Sequence, residues 1–151
     1  MRLHRDLREL LELLNSREVD YVVVGAFAVA FHGRPRYTGD IDVLVRPEPS
    51  NAARIAGAIH DFGFAASGLN AEDFTKPDQV IQLGVAPNRI DLLTSLTGVS
   101  FAEVWEHRTR GDIDGVPVWF IGRDALARNK QATGRPQDLA DLEWLKPDVT
   151  S

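Results

Sequence analysis

The sequence predicts an α+β domain in which a mixed sheet is flanked by helices. Two short runs, YVVVG at 21–25 and DIDVLV at 40–45, are apolar and rich in β-branched residues, as buried strands are. An alanine-rich, helix-like segment lies between them, and later apolar runs are paired across connections of hairpin length. This order is typical of a mixed sheet with helices packed against it.

Each element has a local signal of its own. Leucines recur at helical spacing in the first segment, and Gly33 and Gly63 end apolar segments as C-terminal glycines of helices do. Ser50 precedes the third helical segment and is predicted to cap it. We expect Trp105 to lie in the core. The predicted helices cover about 3–15, 26–32, 50–62, 100–107, 123–133 and 135–145, and the predicted strands about 21–25, 40–45, 79–85, 89–96, 111–113 and 116–121.

The composition fits one soluble domain over residues 1–151, with a core at about 20–121 and C-terminal helices at about 122–145. Cysteine is absent from the sequence, which excludes disulfides and thiolate metal sites. No apolar stretch approaches the ~20 residues that span a membrane, so we expect a cytoplasmic protein without membrane contact. The net charge of −5 argues against a broad, sequence-independent grip on nucleic acid and leaves room only for a local basic groove.

Two aspartates stand at the start of an apolar strand. Asp40 and Asp42 flank Ile41, and residues two apart in a strand point to the same face. A turn after Gly39 accounts for Asp40, but Asp42 lies between apolar residues and needs a partner, because burying an unpaired charge is costly. Paired carboxylates are hard oxygen ligands that suit Mg²⁺ or Mn²⁺.

Asp91 repeats the pattern between Ile90 and Leu92 in a second strand-like run. The alternative to a ligand role is an ion pair, for which we expect Arg89 to be a poor partner because neighbouring strand residues point to opposite faces. If the two strands are neighbours, Asp91 joins the earlier acids. Three such carboxylates are consistent with two metal ions ~4 Å apart in a phosphoryl displacement.

The turn at Gly25 is a third feature. A helix that starts just after a glycine turn offers unpaired N–H groups and the positive end of its dipole, which suit an anion. The alternative is a tight strand-to-helix turn without a ligand.

Together these residues resemble the signature of the DNA polymerase β-like nucleotidyltransferases. The segment VVVGAFAVAFHGRPRYTGDIDVLV is similar to that signature, in which a Gly-Gly or Gly-Ser turn opens a helix and an Asp-x-Asp strand follows, and RIDLL matches the third acid on a later strand. With the late K…GR…DLADL, the chain looks like the minimal bacterial group related to abortive-infection (AbiEii-type) toxins. The resemblance covers roughly residues 20 to 142.

The resemblance implies roles for particular residues. Asp40, Asp42 and Asp91 would hold two Mg²⁺ (or Mn²⁺) ions on the triphosphate, and Asp91 would also help to deprotonate the acceptor hydroxyl. Gly25 and Ala26 would contact phosphates through the backbone. Ala26 departs from the pattern, because many relatives have a Gly or a hydroxyl-bearing Ser there.

Basic and polar residues complete this implied site. Lys130 would meet the triphosphate, the alternative being a solvated lysine on a surface helix. Arg36 and Thr38 would touch phosphate or orient the carboxylates, although Arg36 could equally be a solvated loop residue. We expect salt bridges of Asp138 and Asp141 with Arg135 to fix the last helices, and packing or capping to account for His32.

The leading functional hypothesis is an enzyme that moves a nucleoside monophosphate from an NTP to a hydroxyl. The acceptor stays open among an RNA end such as that of tRNA, a protein side chain and a small molecule, and a toxin role would add an antitoxin partner. A second hypothesis is a nucleotide-binding regulatory module of the same fold without turnover, favoured by Ala26 and the short C-terminal region. A third is a plain α/β domain whose acids form salt bridges.

Overall fold

The structure is a computed structural model that describes residues 5–33, 40–63, 69–85 and 88–145. It confirms the predicted α+β class, with one mixed sheet and helices packed against it. The helices are α1 Arg5–Ser16, α2 Gly25–Phe31, α3 Pro49–Phe62, α4 Phe101–Glu106, α5 Arg123–Thr133 and α6 Pro136–Leu145, and the strands are β1 Tyr21–Val24, β2 Ile41–Val45, β3 Val80–Val85, β4 Asn88–Leu93, β5 Thr109–Ile113 and β6 Val116–Phe120.

The sheet has six strands in the order β3-β4-β2-β1-β6-β5. Strands β3 with β4, and β5 with β6, form the two predicted antiparallel hairpins. Strand β2 pairs antiparallel with β1 and parallel with β4, and β1 pairs parallel with β6. The two strands that carry the acidic motifs are therefore neighbours.

Along β2 and β4, every second side chain points to the same side of the sheet, and the apolar ones form part of the core. Ile41, Val43, Ile90 and Leu92 face one side of the sheet and are almost completely buried. Helix α1 adds a stripe of four buried leucines at helical spacing, Leu7, Leu10, Leu11 and Leu14, and packs against α3. The apolar residues thus fix the register in which the acids between them meet.

Three local expectations need correction. The N-cap of α3 is Glu48 rather than Ser50, because Pro49 with its fixed φ takes the first helical position. Trp105 is only partly buried, and the Arg108 guanidinium stacks 3.7 Å from its ring centroid. A single 3₁₀ turn, Ala71–Phe74, was not predicted, and it buries Phe74.

Within the described ranges, no helix is both long and apolar enough to cross a membrane.

Candidate active site

Acidic side chains meet where β2 and β4 lie side by side. In the parallel pairing of these strands, Asp42 stands directly opposite Asp91. Partners across neighbouring strands point to the same face about 4.8 Å apart, so the two side chains are neighbours. Asp40 immediately precedes β2, and its carboxylate also approaches β4, where Oδ1 accepts a hydrogen bond from the Arg89 backbone N–H at 3.2 Å. The three predicted acids therefore converge at one end of the sheet.

The environment of Asp42 disfavours its negative charge. Burial, followed by the charges of Asp91 and Asp40, raises the pKa of Asp42 from 3.8 to about 6. The positive charges of Arg89 and Lys130 lower this pKa only in part. A carboxyl with a strongly raised pKa beside two other acids is characteristic of functional sites.

Arg89 corrects one of our expectations. Its Nε lies 2.7 Å from Asp91 Oδ1 and one terminal nitrogen lies 3.1 Å from Asp91 Oδ2, a bidentate ion pair that raises the pKa of Arg89. The same guanidinium lies 3.6 Å from Asp40 Oδ2. The expectation that Arg89 would be a poor partner was wrong, because residues 89 and 91 are two apart and share a face of the strand.

Gly25 forms the wall of the site beside Asp42. It opens α2 with a φ of +67°, a left-handed conformation that glycine adopts without strain. A Cβ at this position would overlap Asp42 Oδ2. Glycine is thus required both by the turn and by the carboxylate, and Ala26 follows it in the first turn of the helix.

Replacing Gly25 with Ala is expected to lower the free energy of unfolding and to displace the Asp42 carboxylate. The left-handed φ alone makes Ala unfavourable by about 1–2 kcal/mol, and the overlap with Asp42 Oδ2 adds to it. Gly63→Ala is the matched control, because Gly63 has a φ of +106° but no atom within 4 Å of the added Cβ. Urea unfolding of both variants measures the difference, and equal losses of stability would contradict the contact with Asp42.

Lys130 lies in a buried network at the junction of α5 and α6. Its side chain is 7% exposed, and Nζ lies 3.3 Å from Asp138 Oδ1 and 3.2 Å from Asp141 Oδ2. Asp138 also accepts hydrogen bonds at 2.7 Å from Arg135 Nε and Thr133 Oγ1. The alternative of a solvated surface lysine is therefore excluded. The expected salt bridge of Asp138 with Arg135 is present, and Asp141 pairs with Lys130.

The network around Lys130 interacts electrostatically with the acidic site. Burial raises the pKa of Asp138, but the hydrogen bonds from Arg135 and Thr133 and the charge of Lys130 outweigh it and hold that pKa well below its usual range. Lys130 in turn lowers the pKa of Asp42, and Asp42 raises that of Arg135. Lys130 and Arg135 thus interact electrostatically with Asp42, within a network in which Asp138 and Asp141 balance their charge.

The three acids have the donor atoms that a divalent cation needs, and the pairing of β2 with β4 brings them to the same part of the sheet. Carboxylate oxygens are the ligands that Mg²⁺ and Mn²⁺ prefer, and the three acids share one end of the sheet. Among the described residues, however, no group of three or more acids or histidines is assembled so that it could hold an ion. A guanidinium supplies the positive charge between Asp40 and Asp91 instead.

The remaining predicted residues fall in different places. Arg36 and Thr38 lie outside the described residues. His32 is packed, as expected, with Nε2 2.7 Å from the Ile121 carbonyl oxygen. The sequence reasoning missed the role of Arg89, although its spacing of two residues from Asp91 was a sufficient signal.

Comparisons with known proteins identify a family and support the fold. The family model described as "Nucleotidyltransferase of unknown function (DUF6036)" matches residues 1–146. A presumed nucleotidyltransferase of Thermotoga maritima has a similar fold, with a TM-score of 0.60 and 17% identity over 93% of this chain and 91% of that one. An antigenic nucleotidyltransferase-like protein of Paracoccidioides brasiliensis has a TM-score of 0.52 and 16% identity over 96% of this chain and 78% of that one. At these identities the likeness concerns the fold, and no curated protein matches the chain.

Proposed function

Because the chain belongs to the DUF6036 family of nucleotidyltransferases, we propose that it transfers a nucleoside monophosphate from an NTP to a hydroxyl group. In that reaction the acceptor oxygen forms a bond to the α-phosphorus, the bond from the α-phosphorus to the bridging oxygen breaks, and pyrophosphate leaves. The proton of the acceptor hydroxyl passes to a base.

One observation carries the proposal. Asp42 is held between apolar neighbours, opposite Asp91 and near Asp40, in a position that raises its pKa to about 6. This arrangement makes the folded protein less stable unless positive charge enters the site. A divalent cation bound with a triphosphate would supply this positive charge. The triphosphate would also be the substrate of a nucleotidyltransferase.

The residues divide into two sets. Asp40, Asp42 and Asp91 would hold Mg²⁺ or Mn²⁺, which would neutralise charge on the phosphates, and Asp91 would also help to receive the acceptor proton. The second set would bind the triphosphate and consists of Gly25, Ala26, Arg36, Thr38 and Lys130. In this set Gly25 and Ala26 would use backbone N–H groups, which are unpaired in the first turn of a helix. Lys130 would contact the triphosphate directly only on leaving Asp138 and Asp141, which hold its ammonium group.

The acceptor and the biological setting form the finer part of the proposal. The acceptor is an RNA end such as that of tRNA, a protein side chain or a small molecule, in a cytoplasmic setting. A relationship to AbiEii-type toxins would make the chain one partner of a toxin–antitoxin or phage-defence pair. The late basic and acidic residues that suggested this relationship are those of the network around Lys130.

Transfer of labelled nucleotide tests the proposal. The protein is incubated with each α-labelled NTP, Mg²⁺ or Mn²⁺ and total cell extract, and RNA, protein and small-molecule fractions are counted. We expect label in one fraction with wild type and with Asp112→Asn, an exposed acid on β5, but not with Asp42→Asn. Equal labelling by the Asp42 variant would contradict the proposed site.

The regulatory module remains the second candidate, and the position of Arg89 favours it. A guanidinium that already pairs with Asp91 and lies near Asp40 is compatible with a site that binds nucleotide and does not turn over. Metal-dependent NTP binding without transfer to any fraction would establish this candidate in place of the enzyme.

A further inference from the structure

The position of Arg89 bears on how the proposed site takes up its cation, so this inference rests on the proposed function. The guanidinium forms a bidentate pair with the carboxylate of Asp91, with nitrogen–oxygen distances of 2.7 and 3.1 Å. It also lies 3.6 Å from Asp40 Oδ2, while the Arg89 backbone N–H donates to Asp40 Oδ1 at 3.2 Å. The residue thus joins two of the three acids that a cation would join.

Among the residues that the structure describes, the basic side chains of the neighbouring network are already paired. Lys130 is buried between Asp138 and Asp141, and Arg135 is paired with Asp138. Within the described part of the chain, Arg89 is the basic side chain that forms ion pairs with the acids of the site.

A guanidinium and a divalent cation compete for these oxygens, because two cations on one carboxylate repel each other. Arg89 uses one lone pair on each oxygen of Asp91 in its fork, so an ion that binds both oxygens must displace it. Its side chain is 28% exposed, so it can leave the carboxylates without unpacking the apolar core. The phosphate oxygens of the incoming triphosphate can accept the same pair of hydrogen bonds from the Arg89 guanidinium.

We propose that Arg89 occupies the place of a divalent cation between Asp40 and Asp91, and that it sets the cation affinity of the site by competing for their oxygens. In the absence of nucleotide the site then binds free metal more weakly than it would without Arg89. Metal entry and the departure of Arg89 are coupled, and a coupling of this kind typically changes affinity by about 5- to 150-fold.

Mn²⁺ binding to the nucleotide-free protein tests this competition without any turnover. The signal of free Mn²⁺ in electron paramagnetic resonance is titrated with wild type, Arg89→Gln and Arg89→Lys. Arg17→Gln is the matched control, because Arg17 also pairs with an aspartate, Asp61, outside the acidic site. We expect Arg89→Gln to bind Mn²⁺ about 10-fold more tightly than wild type or more, Arg89→Lys to be intermediate, and Arg17→Gln to equal wild type.

Thermal unfolding gives a second readout. Without Arg89 the acids repel one another, so the midpoint of Arg89→Gln is expected to fall in metal-free buffer and to recover on addition of Mn²⁺. If Arg89→Gln does not fold, Arg89→Lys carries the test, because its ammonium keeps the charge and loses the bidentate geometry.

Equal or weaker Mn²⁺ affinity in the folded Arg89 variants would overturn the inference. If wild type still transfers nucleotide label in that case, only the role of Arg89 fails and the proposed function stands. Absence of Mn²⁺ binding in every variant, together with absence of transfer by wild type, would overturn both.

Discussion

Replacing Asp42 with Asn is expected to lower kcat for nucleotidyl transfer by about 10³-fold, while making the metal-free protein more stable at pH 7. The amide keeps the shape of the side chain and removes the charge that a cation on the triphosphate would need. Loss of activity together with gain of stability distinguishes a functional carboxylate from a structural one.

The stability gain follows from the raised pKa of Asp42. Since that pKa is about 6 in the folded state against 3.8 ordinarily, the folded protein holds the proton more strongly than the unfolded chain. The destabilising contribution is therefore absent below pH 4, grows as the pH rises to about 6, and is complete at pH 7. Two units of pKa correspond to about 2–3 kcal/mol, or a rise in Tm of about 5–10 °C in a chain of this size.

Thermal unfolding of wild type and Asp42→Asn at pH 7.5 and pH 4.5 measures this effect. The difference in Tm should be large at the higher pH and should shrink at the lower one. Asp112→Asn on the exposed part of β5 is the control and should leave both values close to wild type. A lower Tm for Asp42→Asn at pH 7.5 would mean that the carboxylate stabilises the fold.

Replacing Lys130 with Met is expected to lower the free energy of unfolding by about 3–5 kcal/mol. The ammonium group lies between Asp138, which is 1% exposed, and Asp141, which is completely buried. Methionine fills a similar volume and leaves both carboxylates without this cation. Urea unfolding at pH 7 gives the change directly.

The double variant Lys130→Met with Asp141→Asn separates the ion pair from packing. Removing the charge of Asp141, one of the two carboxylates left without a cation, should restore part of the lost stability. The double-mutant cycle then gives the coupling energy between Lys130 and Asp141. Arg128→Met is the control for an exposed pair, because Arg128 and Glu103 are about half exposed and should contribute no more than about 1 kcal/mol. Additive losses in the cycle would show that Lys130 acts through packing alone.

The acidic site could be predicted from sequence because apolar alternation specifies register. Ile41 and Val43 on one strand, and Ile90 and Leu92 on the other, must face the core. Because β2 and β4 are neighbours, Asp42 and Asp91 both point to the face of the sheet opposite these apolar side chains. The hairpin of β3 with β4 and that of β5 with β6 followed equally from short connections between apolar runs.

The surroundings of the acids were harder to predict. Nothing local in the sequence of α5 shows that Lys130 is buried, since its partners lie on α6 and the contact depends on how the two helices cross. The N-cap of α3 depended on competition between Ser50 and the proline before it. The pairing of Arg89 with Asp91 follows from the same alternation that pairs the acids, because the two residues are two apart in β4.

The position of the transferred phosphorus tests the central claim most directly. Parallel reactions contain wild-type protein, the acceptor fraction and ATP labelled at either the α- or the γ-phosphate. A nucleotidyltransferase leaves the α-label on the acceptor and releases the γ-label as pyrophosphate, and both products should disappear with Asp42→Asn. Label from the γ-phosphate on the acceptor, or its release as inorganic phosphate alone, would contradict the account.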